Sequence, residues 1–294
     1  MPPTGGVARG SPGGAGRRRD PEGTHVRRDL HVHSTASDGA LGPAALVAAA
    51  VAGRLDVIGL TDHDTIAGLP AAFEAAAGRL EVVPGVELST THLGRELHVL
   101  GYDIDPHEPE LAAFSRQAAR RRQSRMAAMV QRLDELGIRV PYEEVVRLAG
   151  AEANVGRPHL ARVLLQRGHV RTFAEAFDRL IGDGGPAFFP VQLLTPAEAI
   201  QMVHRAGGIA VWAHPPLDLL RSELDGLVAV GLNGVEVYRP RSLPSEMEAV
   251  LTAATSRGLL ATGGSDWHGD WSGPLGEFAV GPEDVAEFLA LRGS

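Results

Sequence analysis

From Arg27 onward, short apolar runs alternate with longer amphipathic segments, and polar residues gather where the short runs end. Arg28 to His33 is predicted as a strand, Ser34 to Leu41 as a loop, and Pro43 to Gly53 as a helix with proline in its first turn and glycine at its end. Asp56 to Leu60 is a second strand. It runs into Thr61 Asp62 His63 Asp64, and a helix follows to about Ala77. Leu80 to Val83 is a third strand, ending at Pro84 Gly85 Val86 Glu87, and Leu97 to Tyr102, carrying His98, is a fourth. Strand alternating with helix implies βαβ units and a mostly parallel sheet, with polar chemistry collected at the C-terminal ends of the strands.

Between about Pro106 and Ala206 the strand pattern vanishes. A long helix from about Pro109 to Leu136, stopped by Gly137, is followed by shorter ones near Tyr142 to Leu148, Pro158 to Arg167 and Phe173 to Leu180. Thr195 Pro196 Ala197 Glu198 combines an N-cap, a first-turn proline and a capping-box glutamate, which starts another helix. Strands resume at Gly208 to Ala213, delivering His214, at Gly234 to Tyr238 and at Leu259 to Thr262, which leads into Gly263 Gly264 Ser265 Asp266 Trp267 His268. Pro282 to Leu291 closes the chain as a helix. The expected organisation is therefore a tail over 1–25, a first barrel part over 26–105, a helical insertion over 106–206 that caps the substrate, and a second barrel part over 207–294. The tail is Gly, Pro and Arg with almost no large apolar side chains, so it is expected to be disordered, with Arg17, Arg18 and Arg19 solvated.

A chain of 294 residues can hold one large α/β barrel. Its aromatic content of 5% favours helices packed on a sheet over an aromatic-rich β-sandwich. All 28 basic residues are arginine, which removes lysine chemistry and leaves guanidinium forks as the permanent cations for gripping phosphate. There is no cysteine, so thiolate metal sites and thiol nucleophiles are excluded, and a reducing cytoplasm is expected. A net charge of -8 argues against stable binding of duplex nucleic acid, and no apolar run approaches membrane-spanning length.

His31 and His33, one residue apart on a strand, point to the same side of the sheet and make a chelating pair. His63, Glu87 with His98, Asp266 with His268, and His214 each lie at or beside a predicted strand end. One such residue alone carries little weight; their joint occurrence at corresponding ends of parallel strands points to a shared site. Imidazole and carboxylate donors without sulfur suit Mn, Fe or Zn in a multinuclear hydrolytic centre. Such a centre turns water into hydroxide at neutral pH and neutralises phosphate oxygens. A carboxylate such as Glu87 can bridge two ions.

Asp29 Leu30 His31 Val32 His33 Ser34, Thr61 Asp62 His63 Asp64, Gly85 Val86 Glu87 and Gly264 Ser265 Asp266 Trp267 His268 resemble the four motifs of the PHP (polymerase and histidinol phosphatase) superfamily. The likeness runs from about Arg27 to the C-terminus. The insertion carrying Gly156 Arg157 Pro158 His159 is similar to the branch holding nucleoside 3',5'-bisphosphate phosphatases and AMP phosphatases. The resemblance implies a distorted seven-stranded β/α barrel with two or three divalent ions, most often Mn. It implies one ion on His31, His33, Glu87 and Asp266, a second on Glu87, His98 and His214, and a third on Asp38, His63 and His268. It also implies that Arg157 and His159 hold phosphate at a helix start. Asp64 is a candidate general acid or, more simply, a helix N-cap. Arg120, Arg121 and Arg122 are expected to form a mainly solvated helix face, with at most one or two reaching the site. His25, His92, His107, His169 and His204 are read as ordinary, and Trp212, Trp267 and Trp271 as packing or base-stacking residues.

The reading that follows is an enzyme hydrolysing a phosphate monoester of a nucleotide, of the nucleoside 3',5'-bisphosphate or AMP type, by metal-activated hydroxide. The alternatives are removal of nucleotides from the 5' end of a short RNA or DNA, hydrolysis of histidinol phosphate, and a metal-binding scaffold without catalysis. Oligomeric state is not legible in the sequence.

Overall fold

The computed structural model describes residues 26–150, 154–190, 194–269 and 272–292. The tail over 1–25, with Arg17 to Arg19 and His25, and Trp271 lie outside the described residues.

Seven strands form one sheet in sequence order. β1 (Arg28–Val32), β2 (Val57–Leu60) and β3 (Glu81–His92) run parallel, with α1 (Pro43–Ala52) and α2 (Leu69–Ala76) as the crossovers. β4 (Arg95–Tyr102) turns back antiparallel to β3 and to β5 (Ile209–Trp212), and β6 (Gly234–Tyr238) and β7 (Leu260–Gly263) restore the parallel direction. The third strand does not stop at Val83 as the sequence pattern suggests. Pro84 sits where pairing with β2 ends, so its missing N–H costs no ladder bond, and the strand continues as the first arm of a hairpin. Leu93 and Gly94, at φ 49° and 78°, make the two-residue turn whose twist matches that hairpin.

The sheet closes on itself. The His33 amide donates to the Trp267 carbonyl at 3.0 Å, the Trp267 amide returns to His31, and Arg28 exchanges both backbone bonds with Val280. Gly264 makes this possible: a Cβ there would lie 2.3 Å from the His31 Cβ. The result is the distorted seven-stranded barrel. Its lower interior is filled by Leu30, Val83, Leu100, Tyr102 and Val211, and plugged by Phe288 of the C-terminal helix α10 (Ala286–Arg292), whose ring meets Tyr102 edge-on at 5.2 Å. α7 (Pro196–Arg205), α8 (Leu217–Ala229) and α9 (Pro244–Thr255) cover the outside of the later strands. α8 and α9 are absent from the sequence reading.

The long helix α3 (Pro109–Glu135) joins two cores. Leu111, Phe114 and Ala118 pack into the barrel layer, whereas Met126, Met129 and Leu133 pack with α4 (Tyr142–Ala149) and α5 (Arg157–Gln166) in a separate apolar cluster. α6 (Phe173–Ala176) follows and widens into a π-helical turn over Phe177–Ile181, where one unbroken helix is predicted. Between the two cores, on the same stripe of α3, lie Arg122 and Arg125, each 6% exposed. Among the described residues no helix is long and apolar enough to cross a membrane.

Candidate metal centre

β1 presents His31 and His33 on one face with their Nε2 atoms 3.1 Å apart. Glu87 Oε2 lies 3.2 Å from each, and so does Asp266 Oδ1, from the loop after β7. Donors spaced in this way are those that surround a four-coordinate cation at about 2 Å. His31 Nδ1–H donates to Glu236 Oε1 at 2.9 Å, which fixes the tautomer and turns the Nε2 lone pair inward. Glu236, fully buried on β6, accepts the His214 amide on its other oxygen.

The second oxygen of Glu87 faces another donor set. Its Oε1 is 2.8 Å from His98 Nδ1 and 3.0 Å from His214 Nε2, which are 3.3 Å from each other. His63 Nδ1 stands 3.2 Å from Oε2, and its Nε2 looks towards Asp38 at 3.9 Å. Asp38 in turn lies 3.2 Å from His268 Nε2. Glu87 thus belongs to two of the three donor groups, the third being His33, Asp38, His63 and His268, and the nine candidate ligands converge in one place.

They do not all arrive from the ends of parallel strands. Glu87 is mid-strand on β3, because the strand continues past it, and His98 comes from the antiparallel β4. The loop residues are held in costly conformations: Asp64, His214 and Asp266 have φ of 53°, 32° and 53°, each a strain of about 1–3 kcal/mol. Buried side chains hold these loops. Asp62 accepts from the Ser34 amide and from the Ser34 and Ser37 hydroxyls; Asp29 accepts the Ser265 amide at 2.7 Å; Asn154 donates to the His63 carbonyl at 2.7 Å.

Above the donors a cavity of about 210 Å³ opens between the barrel and the insertion. Arg122, Arg125 and Arg157 line it, while Arg120 is exposed, so Arg122 is the one of the three adjacent α3 arginines that reaches the cavity, within the one or two expected. Its guanidinium binds Asp64 Oδ2 through Nε at 2.8 Å and the Ser89 hydroxyl at 2.7 Å. Asp64 also accepts the Ser89 amide, and it sits well before α2, whose cap is Gly68. The N-cap role is therefore excluded, and a carboxylate committed to Arg122 is poorly placed to serve as a general acid. Arg125 and Arg157 share Glu96, at 2.5 and 2.7 Å, and Arg157 also reaches Asp183. His159 takes a different place from Arg157. It is 2% exposed, does not line the cavity, and its Nδ1 accepts the Gly156 amide at 3.0 Å. Trp212 and Trp267 are buried packing residues, the latter donating to the Gly273 carbonyl, while His92 and His204 pair with Glu223 and Asn233.

Burial lowers the His159 pKa to about 4. Between that value and its ordinary 6.5 the unfolded chain binds the extra proton, so stability falls as pH drops through this window and is flat above it. The loss is about 3 kcal/mol at most. Urea melts of wild type and His159→Gln at pH 4.5 and 7.5 are expected to show the smaller pH dependence in the variant.

The donor cluster is an electrostatic field that calls for cations. Burial acts against charge at His31, His33 and His98, but the surrounding carboxylates outweigh it: Glu236, Glu87 and Asp266 raise His31, Asp266 and Glu87 raise His33 to about 9, and Glu87 raises His98 to about 10. Glu87 itself is held well below the usual carboxylate range; the imidazoles of His63, His98 and His31 overcome its burial. These residues fit divalent ions, whose entry would displace the imidazole protons. Sequence reasoning did not single out Arg125, Glu96 or Glu236. The signal for the arginines was there: positions 111, 114, 118, 122, 125, 129 and 133 form one continuous helical stripe.

Comparison with known proteins points the same way. Residues 29–148 match the PHP domain family. A Salmonella typhimurium protein named 5'-3' exoribonuclease Rnm is 38% identical over 82% of this chain and 84% of its own length. A Chromobacterium violaceum 3',5'-nucleoside bisphosphate phosphatase is 34% identical over 83% of this chain and 88% of its own. The crystal structure of a Bifidobacterium adolescentis protein assigned as a metal-dependent phosphoesterase superposes with a TM-score of 0.78 at 30% identity, covering 90% of this chain and 94% of that one.

Proposed function

Since the chain belongs to the PHP-domain family of phosphoesterases, we propose that it hydrolyses a phosphoester of a nucleotide, with His31, His33, Asp38, His63, Glu87, His98, His214, Asp266 and His268 holding two or three divalent ions, Mn first among them. The observation that carries this reading is the pairing, in one cavity, of converged imidazole and carboxylate donors with the guanidinium groups of Arg122, Arg125 and Arg157. Bound ions would lower the pKa of a water and neutralise phosphoryl oxygens. The chain's own residues do the rest. Glu87 spans the donor groups, Glu236 keeps His31 in its ligating tautomer, and Asp64 and Glu96 aim the arginines. The guanidinium forks grip a phosphate and orient it against the donors. Arg157 is the better phosphate ligand of the expected pair, since His159 faces Gly156.

Two substrates share the chemistry. A nucleoside 3',5'-bisphosphate and the first nucleotide of a 5'-phosphorylated RNA both carry a phosphorus on the 3' oxygen and a phosphate on the 5' carbon. The names of the relatives support both, and the exoribonuclease at 38% identity favours the RNA end as the second reading. Histidinol phosphate ranks below both. The scaffold alternative is set aside, because the family to which the chain belongs is one of hydrolytic enzymes.

The test is product release from adenosine 3',5'-bisphosphate, AMP, a short 5'-phosphorylated RNA and histidinol phosphate by protein loaded with Mn. Turnover is expected on the first or the third, giving AMP plus phosphate or mononucleotides. Silence on the whole panel with metal bound would overturn the reading.

A further inference from the structure

Of the side chains lining the cavity, all are polar or charged except two, Pro158 and Phe177, and both come from the helical insertion. A nucleotide has the complementary distribution: anionic phosphates at one end and a flat, weakly polar base at the other. Resting on the nucleotide reading above, we propose that Phe177 is the platform on which the substrate's nucleobase stacks. Three observations support it.

Phe177 opens the π-helical turn, with its carbonyl accepting the Gly182 amide at 3.0 Å. Single π-turns inside helices re-aim side chains and recur at functional sites. The ring is pinned, not loose: Phe173 lies 5.4 Å away, tilted at 44°, and the Arg157 guanidinium lies 5.8 Å from its centroid. Arg157 therefore positions the aromatic surface at the same time as it faces the cavity, so base and phosphate would be gripped from one rigid patch. The ring remains half-buried and lines the cavity, as a stacking platform requires.

Stacking reads a π-face, which every base has, so this subsite holds nucleotides without selecting a sequence. It adds nothing to the binding of a phosphate monoester with no base.

The experiment compares adenosine 3',5'-bisphosphate with its base-less analogue, 1-deoxyribose 3,5-bisphosphate, using wild type, Phe177→Ala, Phe177→Leu and Phe177→Trp loaded with Mn. For the nucleotide, the KM of the Ala and Leu variants is expected to rise about 5- to 150-fold with kcat little changed, and the Trp variant to restore it. On the base-less analogue all four proteins should agree. Melting temperatures within a few degrees of wild type confirm that the insertion core is intact, and Leu serves if Ala loosens it. An unchanged KM, a Leu variant that behaves like wild type, or an equal loss on both substrates would each overturn the platform. A wild-type protein that turns over neither these compounds nor the 5'-phosphorylated RNA overturns the nucleotide reading itself, which separates the two failures.

Discussion

Glu87→Gln is expected to reduce turnover to below about one-thousandth of wild type while leaving the fold intact. The substitution conserves shape, so the fully buried site need not repack. It changes the chemistry on both sides of the carboxylate. Oε2 faces His31, His33 and His63, and Oε1 faces His98 and His214, all within 2.8–3.2 Å. An amide must present its NH2 to one of these sets, placing a donor where a cation should sit, and it removes the negative charge from the other. His98 loses the carboxylate that does most to raise it to about 10, and His33 keeps Asp266 but loses the second carboxylate that raises it to about 9, so the metal-free variant gives up its imidazole protons at lower pH. Metal content by elemental analysis, thermal melting and kcat on the same preparation are the measurements. A variant with bound metal and near-normal kcat would remove Glu87 from the centre of the site.

Much of this centre is legible in the chain because its ligands lie on short local motifs. His31 and His33 announce themselves by strand alternation, and the capping box at Thr195 places α7 without further information. What the sequence does not reveal is set by long-range pairing. Glu87 moves from a strand end to mid-strand because β3 continues through Pro84 into a hairpin, and neither Pro84 nor the Leu93–Gly94 turn says with which strand it will pair. Glu236 looks like one polar position in a buried run until the barrel closes and brings His31 within 2.9 Å. Glu96 lies 61 residues from Arg157, and their contact exists only once the insertion docks. The adjacent arginines 120–122 are legible only in part. Helical phase says that at most one or two of them reach the site, but which one is settled by how α3 docks: Arg122 lies on the buried stripe and Arg120 stays exposed.

Arg122→Met is expected to cost about 3–5 kcal/mol, a fall in Tm of about 10 °C, because it strands the Asp64 carboxylate in a fully buried position. Adding Asp64→Asn should recover most of that loss. Asparagine removes the unpaired charge, still accepts the Ser89 amide, and tolerates the left-handed backbone at φ 53° better than other side chains. Activity should part company with stability. Arg122 lines the cavity in which the phosphate is proposed to bind, so the double variant is expected to fold normally yet keep a raised KM for the nucleotide substrate. The comparison assigns the pair its role by two independent readouts. A single variant that melts like wild type would mean that Asp64 finds other solvation, and a double variant with both stability and KM restored would make Arg122 a structural residue alone. The expected outcome, stability restored without affinity, would mean that Asp64 acts on the substrate only through the guanidinium it holds, with the strained loop after β2 holding that carboxylate against α3.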